Sequence, residues 1–229
     1  MLNRKFRLSR LHNEKGNHVG LIKLIYFFPA LFSRILKFFN YHPEIPIINY
    51  DAIAIFKNIA KIKPSVLEYG SGFSSIWWSK RANKIVTVES DKFWYQKIKS
   101  KLDDLNKADI HISYVTAMEK YVSVGKNQLF DLIIIDGLYR GQCLEYALKH
   151  NTHKDTIIYL DDSDKESSFE IKNKRGDCRD ADILLQEYCF RNNMYLHRTN
   201  NFSPTHVFVK EGCFVVSKNK KFKDILNLD

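Results

Sequence analysis

Residues 66–72 read Val66-Leu67-Glu68-Tyr69-Gly70-Ser71-Gly72: apolar at first, then a carboxylate, then two glycines one residue apart. Val66-Leu67-Glu68 predicts a short strand running into a turn, and Ser74 to Arg81 predicts a helix behind it. Glycine is needed where a chain turns sharply from strand to helix, and where a ligand must reach the backbone without meeting a Cβ. Amides at the helix N-terminus then face whatever is bound. A Gly-x-Gly pair alone is also an ordinary turn, so its flanks decide what it means.

Working outward, strands and helices alternate. Ile85 to Val88 predicts a second strand, Lys92 to Leu105 a helix and Ile110 to Val115 a third strand. Leu129 to Ile135 (LFDLIII) is a nearly continuous apolar run of the kind found in a central parallel strand buried on both faces. Arg140 to Lys149 predicts a helix, Thr156 to Leu160 a strand and Ala181 to Asn192 a helix. Tyr195 to His197, His206 to Val209 and Gly212 to Val216 predict closing strands, the last two as a hairpin. The class is therefore α/β, an open parallel sheet with helices on both faces. Ser163 to Asp180 is polar and highly charged, which predicts a loop at a strand's carboxyl end, in the place of a substrate lid.

Acidic residues recur at the strand ends. Glu89, with Ser90 behind it, closes the second strand about 20 residues after Glu68, where a carboxylate can accept both hydroxyls of a ribose. Asp136 follows the LIII run, and Asp161 with Asp162 follows IIYL. If those strands are neighbours, the three carboxylates meet in one crevice, where they could hold a hard divalent cation or supply a general base. For each of them a helix N-cap is the structural alternative. Arg140 could fork onto an anionic acceptor group or form a salt bridge to a nearby aspartate. Trp77, Trp78 and Trp94 read as core or pocket wall.

The 229 residues, 45% hydrophobic and 27% charged, suit one α/β domain with a modest extension. Cys143, Cys178, Cys189 and Cys213 form no CxxC pair, which points to a reduced cytoplasmic protein without a zinc site. The net charge is +10, and up to Pro43 eight cations face Glu14 alone, which leaves +3 for the remainder. Residues 1–48 thus read as a basic, apolar helical extension and linker, and residues 49–229 as the ligand-binding domain. Leu21 to Phe39 is strongly apolar, but Lys23, Arg34 and Lys37 interrupt it and Pro29 lies near its middle. Its charge-free run is about half of the roughly 20 residues a spanning helix requires. Two expectations remain for it: a helix packed on the domain, or an interfacial helix giving peripheral contact with anionic lipid through residues 1–43.

With these residues in place, the chain resembles the class I S-adenosylmethionine-dependent methyltransferases, whose first motif is an acidic-x-Gly-x-Gly turn. The resemblance is nearest to bacterial proteins encoded among surface-polysaccharide genes. It rests on VLEYGSGFSSIWWSK, VTVESDKFWYQKI, IIIDGLYRGQCLEYAL and IIYLDDSD, between Pro64 and Asp164. It implies a Rossmann-like, mostly parallel seven-stranded sheet with an antiparallel C-terminal strand. It implies S-adenosylmethionine as cofactor, held by Glu68, Gly70, Ser71, Gly72, Ser75, Glu89, Ser90 and Asp136, with adenine near Ala117 and Met118. Asp136, Asp161 and Arg140 would serve catalysis on a sugar, glycolipid or other small hydroxyl acceptor. Asp136, Asp161 and Asp162 also resemble the Mg²⁺ positions of catechol-type O-methyltransferases, although Tyr139 stands where that group has a lysine.

Three rivals are distinguishable. A nicotinamide-dependent oxidoreductase would carry GxGxxG, and its third glycine position is Ser75 here. A nucleic-acid methyltransferase acting on a base amine would carry Asn/Asp-Pro-Pro-Tyr/Phe where Asp136-Gly137-Leu138-Tyr139 stands, and the modest charge outside the N-terminal segment also speaks against nucleic acid. A non-catalytic S-adenosylmethionine-binding protein would keep the cofactor turn but not depend on Asp136.

Overall fold

Leu132–Ile135, four consecutive apolar residues, are all buried and form the central strand β4. Leu132 and Ile134 join one core and Ile133 and Ile135 the other, as the two-residue period of a strand covered on both faces requires. The computed structural model describes residues 8–105, 109–165, 178–218 and 224–226. Its elements are a 3-10 turn (Ile22–Tyr26), α1 (Phe27–Phe38), α2 (Tyr50–Ala60), β1 (Ser65–Tyr69), α3 (Phe73–Ser79), β2 (Lys84–Glu89) and α4 (Lys92–Asp103). They continue with β3 (Ile110–Tyr114), α5 (Met118–Val122), β4, α6 (Arg140–His150), β5 (Ile157–Asp161), α7 (Cys178–Arg191), β6 (Tyr195–Ser203) and β7 (His206–Val216).

The strands form one sheet in the order β3-β2-β1-β4-β5-β7-β6. β1 to β5 pair in parallel, and β7 runs antiparallel to both β5 and β6. This is the mostly parallel seven-stranded sheet that the resemblance implies. On one face Phe56 of α2 packs among Trp77, Trp78, Tyr159 and Phe214; on the other, Tyr69 and Leu160 pack with Tyr121 of α5, Leu144 of α6 and Leu185 of α7. Asn49 starts α2 by accepting the Ala52 amide at 2.9 Å and ties it to β6 by donating to Thr199 Oγ1 at 2.9 Å.

Three expectations need correction. His206 to Val209 and Gly212 to Val216 are not two strands of a hairpin but one strand, β7, and the hairpin joins it to β6 through Pro204-Thr205, where Thr205 takes φ +64°. The charged pair Lys210-Glu211, which interrupts the apolar pattern, lies buried inside the strand because both charges have partners. Helix α7 begins at Cys178 rather than Ala181, and Ser163 to Lys165 form a buried turn. Residues 166–177, where the lid was expected, lie outside the described residues.

The N-terminal segment is stitched onto the β6–β7 hairpin. Asn13 and Lys15 both bond Glu211, and Val19 and Ala30 pack against Phe202 and Val209. All four cysteines are free and buried. Among the described residues no helix is long and apolar enough to cross a membrane.

Candidate cofactor cleft and its carboxylate cluster

The chain leaves β1 through Gly70, whose φ of +95° suits only glycine. The Gly70 and Ser71 amides both donate to the Val88 carbonyl, at 3.0 and 3.1 Å, locking the turn to β2. A Cβ on Gly70 would lie 2.7 Å from Gly137 Cα, so the turn after β1 and the loop after β4 touch backbone to backbone. Gly72 differs: its φ of −168° is ordinary extended backbone, and a Cβ there would meet nothing nearer than Ser74 Oγ at 3.7 Å. Neither conformation nor packing requires glycine at 72, so the space in front of it is room for a ligand.

That space belongs to a cleft of about 600 Å³ at the carboxyl ends of β1, β2, β4 and β5. Gly70, Ser71, Gly72, Glu89, Ser90 and Trp94 line one side, and Asp136, Gly137, Leu138, Arg140 and Asp162 the other. Glu89 Oε1 accepts the Ser90 and Asp91 amides at 2.7 and 2.8 Å, which fixes the carboxylate at the cleft wall; burial raises its pKa against those two bonds. Trp94 Nε1 donates to the Ser71 carbonyl at 2.6 Å and fastens α4 over the glycine turn. Trp77 and Trp78 lie in the core.

Glu68 and Ser75 do not reach the cleft. Both are fully buried beneath the turn, where the Ser75 hydroxyl donates to Glu68 Oε2 and accepts the Gly72 amide at 2.9 Å. They brace the turn from below. Burial pushes the Glu68 carboxyl up to about 7, partly opposed by hydroxyl donors. Ala117 and Met118 sit at the start of α5 and are not among the cleft's lining residues, because β3 ends one strand further toward the sheet edge.

The carboxylate pair after β5 divides. Asp162 borders the cleft in a left-handed conformation, φ +55°. Asp161 is completely buried, accepting from Tyr159 Oη at 2.9 Å and Lys210 Nζ at 2.6 Å. Asp162 rather than Asp161 therefore borders the cleft, and Asp161 anchors the sheet to β7. Tyr139, at φ +53°, makes the matching left-handed turn after β4.

Arg140, Lys210 and Lys165 hold the cluster. Arg140 donates to the backbone carbonyls of Asp136 (3.2 Å), Gly137 (3.1 Å) and Asp161, and pairs with Asp136 Oδ1 at 3.0 Å and Asp162 Oδ2 at 3.6 Å. It is a clamp between the ends of β4 and β5, so of its two expected roles the geometry favours the structural salt bridge. Lys210, absent from the residues the sequence singles out, places Nζ 2.6 Å from Asp161, 3.0 Å from Asp162 and 3.3 Å from the Ile47 carbonyl. Against the cost of burial, Lys210, Arg140 and Lys165 hold Asp162 well below the usual carboxylate range. Asp136 goes the other way: withdrawal from bulk water and repulsion from Asp161 raise it against the pull of Arg140, and its 32% exposure to the cleft moderates the rise.

Oxygens of Asp136, Asp161 and Asp162 approach within 4.8 Å of one another, close enough for a divalent cation. The donor set does not fit one. The Lys210 ammonium already stands among the oxygens of Asp161 and Asp162, and Arg140 neutralises Asp136. A divalent ion would have to displace a buried ammonium from two carboxylates.

No protein-family model matches the chain, and no curated protein matches it in sequence. Solved structures do match. The O-methyltransferase from Bacillus cereus in complex with S-adenosylhomocysteine is 16% identical with a TM-score of 0.57, over 86% of this chain and 92% of that one. The O-methyltransferase TomG from Streptomyces achromogenes, involved in tomaymycin synthesis and solved with S-adenosylmethionine, is 12% identical with a TM-score of 0.57, over 86% and 96%. An rRNA methylase from Streptococcus thermophilus is 9% identical with a TM-score of 0.50, over 76% and 100%. At these identities the likeness establishes the Rossmann-like class I methyltransferase fold.

Proposed function

We propose that the chain is an S-adenosylmethionine-dependent methyltransferase that methylates a hydroxyl oxygen on a sugar, glycolipid or other small acceptor. The single observation that carries this is the cleft wall from Gly70 to Glu89: open space over Gly72, a fixed carboxylate on the next strand and an indole between them. Gly70, Ser71 and Gly72 would hold the amino-acid end of the cofactor, and Glu89 the ribose. When bound, S-adenosylmethionine supplies an electrophilic methyl group on its sulfonium.

The chain's residues position and deprotonate. Asp136 borders the cleft opposite the glycine turn, and its raised pKa makes it a better base than Asp162 toward an acceptor hydroxyl. Asp162, held anionic by Lys210 and Arg140, would accept a hydrogen bond and orient the acceptor. Arg140 and Lys210 keep the two loops in register, so no step runs through Mg²⁺. Hydroxyl rather than base-amine methylation is supported by the Asp136-Gly137-Leu138-Tyr139 sequence and by the O-methyltransferases among the structural neighbours.

The test is transfer of a labelled methyl group from S-adenosylmethionine to a panel of hydroxylated glycans and glycolipids. Asp136→Asn should lower turnover by about 10²- to 10⁴-fold, as loss of a general base does. Binding of S-adenosylhomocysteine by both proteins without turnover on any acceptor would favour a non-catalytic binding protein.

A further inference from the structure

Helix α1 is amphipathic in the reverse sense to a packed helix. Its inner side presents Phe27, Ala30 and Ser33: Ala30 and Ser33 are buried, and the partly buried Phe27 ring meets Phe202 edge-on. The outer side presents Phe28, Leu31, Phe32, Ile35 and Phe39, spaced at i, i+3, i+4, i+7 and i+11, and all of them are exposed. The surface extends through the 3-10 turn, where Ile22 is 91% exposed, and to the last residue of the helix, Phe38, which is 83% exposed. A helix held only by the hydrophobic effect would turn this stripe inward. Here the β6–β7 hairpin takes the narrower side of Phe27, Ala30 and Ser33, and the broad apolar stripe faces away from the protein.

Charge identifies what covers it. Up to Pro43 there are eight cations and one anion, and no acidic residue lies between Lys15 and Glu44. Lys15 and Lys23 are engaged by Glu211 and Asp51, whereas Arg10 and Lys37 remain exposed, as does Arg34, which donates to the Thr205 carbonyl at 3.5 Å. In a two-fold dimer the same patch meets itself, which would bring two strongly basic segments together. An anionic lipid surface receives both the aromatic stripe and the charge.

From these observations we infer that the Ile22–Phe39 segment is an interfacial anchor, which lays its exposed aromatic face into the headgroup boundary of an anionic bilayer without crossing it. The placement is consistent with work at that surface. Asp161 pairs with Gly212, so the part of the hairpin from His206 to Glu211, on which α1 rests, projects beyond the carboxyl end of β5, the end where the cleft opens. The anchor does not depend on the methyl-transfer chemistry.

The experiment is co-sedimentation of the full chain with phosphatidylcholine vesicles, with and without phosphatidylglycerol, at low and high salt. A Phe32→Glu/Ile35→Glu variant is run in parallel; both side chains are exposed, so its unfolding midpoint should match that of the wild type. Wild-type protein should bind the anionic vesicles, more weakly at high salt, and the variant's partitioning should fall by about tenfold or more. Absence of binding to anionic vesicles, or undiminished binding by a folded variant, overturns the inference. So does a wild-type dimer that ignores vesicles and that the variant dissolves, which would assign the face to a second copy of the chain.

Discussion

The two glycines of the β1 turn should respond oppositely to the same substitution, because one faces protein and the other faces the cleft. At Gly70, alanine must adopt φ +95° and place Cβ 2.7 Å from Gly137 Cα and 2.8 Å from Gly137 N. The left-handed conformation costs about 1–2 kcal/mol, and overpacking against rigid backbone about 1–3 kcal/mol more. A loss of about 3 kcal/mol lowers the melting temperature of a chain this size by about 10 °C. The loop carrying Asp136 must also shift. At Gly72 alanine keeps its extended backbone and clears the nearest atom by 3.7 Å, so stability should stay within about 0.5 kcal/mol of wild type. The added methyl enters ligand space, and a clash of about 1–3 kcal/mol weakens S-adenosylhomocysteine binding by about 10- to 100-fold. Thermal unfolding and calorimetric titration of both variants read the two effects separately. A Gly72→Ala protein that binds as tightly as wild type would refute the placement of the cofactor over this turn.

Other consequences follow from the buried charges. Lys210→Ala takes the ammonium from buried Asp161 and one of the two ammonium partners from Asp162, and should cost about 3–5 kcal/mol in denaturant unfolding. Mg²⁺ or Mn²⁺ should raise the melting temperature of that variant but not of the wild type; a wild-type response would put a divalent ion in the cluster. Glu68 has a folded-state pKa near 7 against an ordinary 4.5, so the folded state holds the proton more tightly. Its contribution is fully present below about pH 4.5 and fades as pH rises through about 7, a change of about 3 kcal/mol. Glu68→Gln should remove that component from the difference between the stability–pH curves, measured by urea unfolding at several pH values; parallel curves would show that Glu68 ionises freely.

The fold was legible because its determinants are local. Gly70 and Gly72 mark the turn, LIII announces a strand buried on both faces, and carboxylates stand at successive strand ends. What was not legible depends on which way a side chain points once strands are paired. Asp161 and Asp162 are neighbours in sequence, yet only pairing with β7 and the left-handed turn at Asp162 decide which of them meets the cleft. Lys210-Glu211 looks like a hairpin turn because two adjacent charges interrupt an apolar strand. Their partners, Asp161 and Arg198, come from elements far along the chain or across the hairpin. The signal that could have found Lys210 is the same interruption: charges within a strand pattern next to a sheet edge rich in aspartate. The apolar period of α1 was equally visible, but sequence does not say which of a helix's sides packs on the domain.

Calorimetric titration of the wild-type protein and Glu89→Ala with S-adenosylhomocysteine addresses the cleft most directly. Binding in the micromolar range should appear in the wild type and weaken by about tenfold or more in the variant, whose lost carboxylate would otherwise accept the ribose hydroxyls. A folded wild-type protein that binds no S-adenosylhomocysteine, or a variant that binds it equally well, would contradict the cofactor assignment.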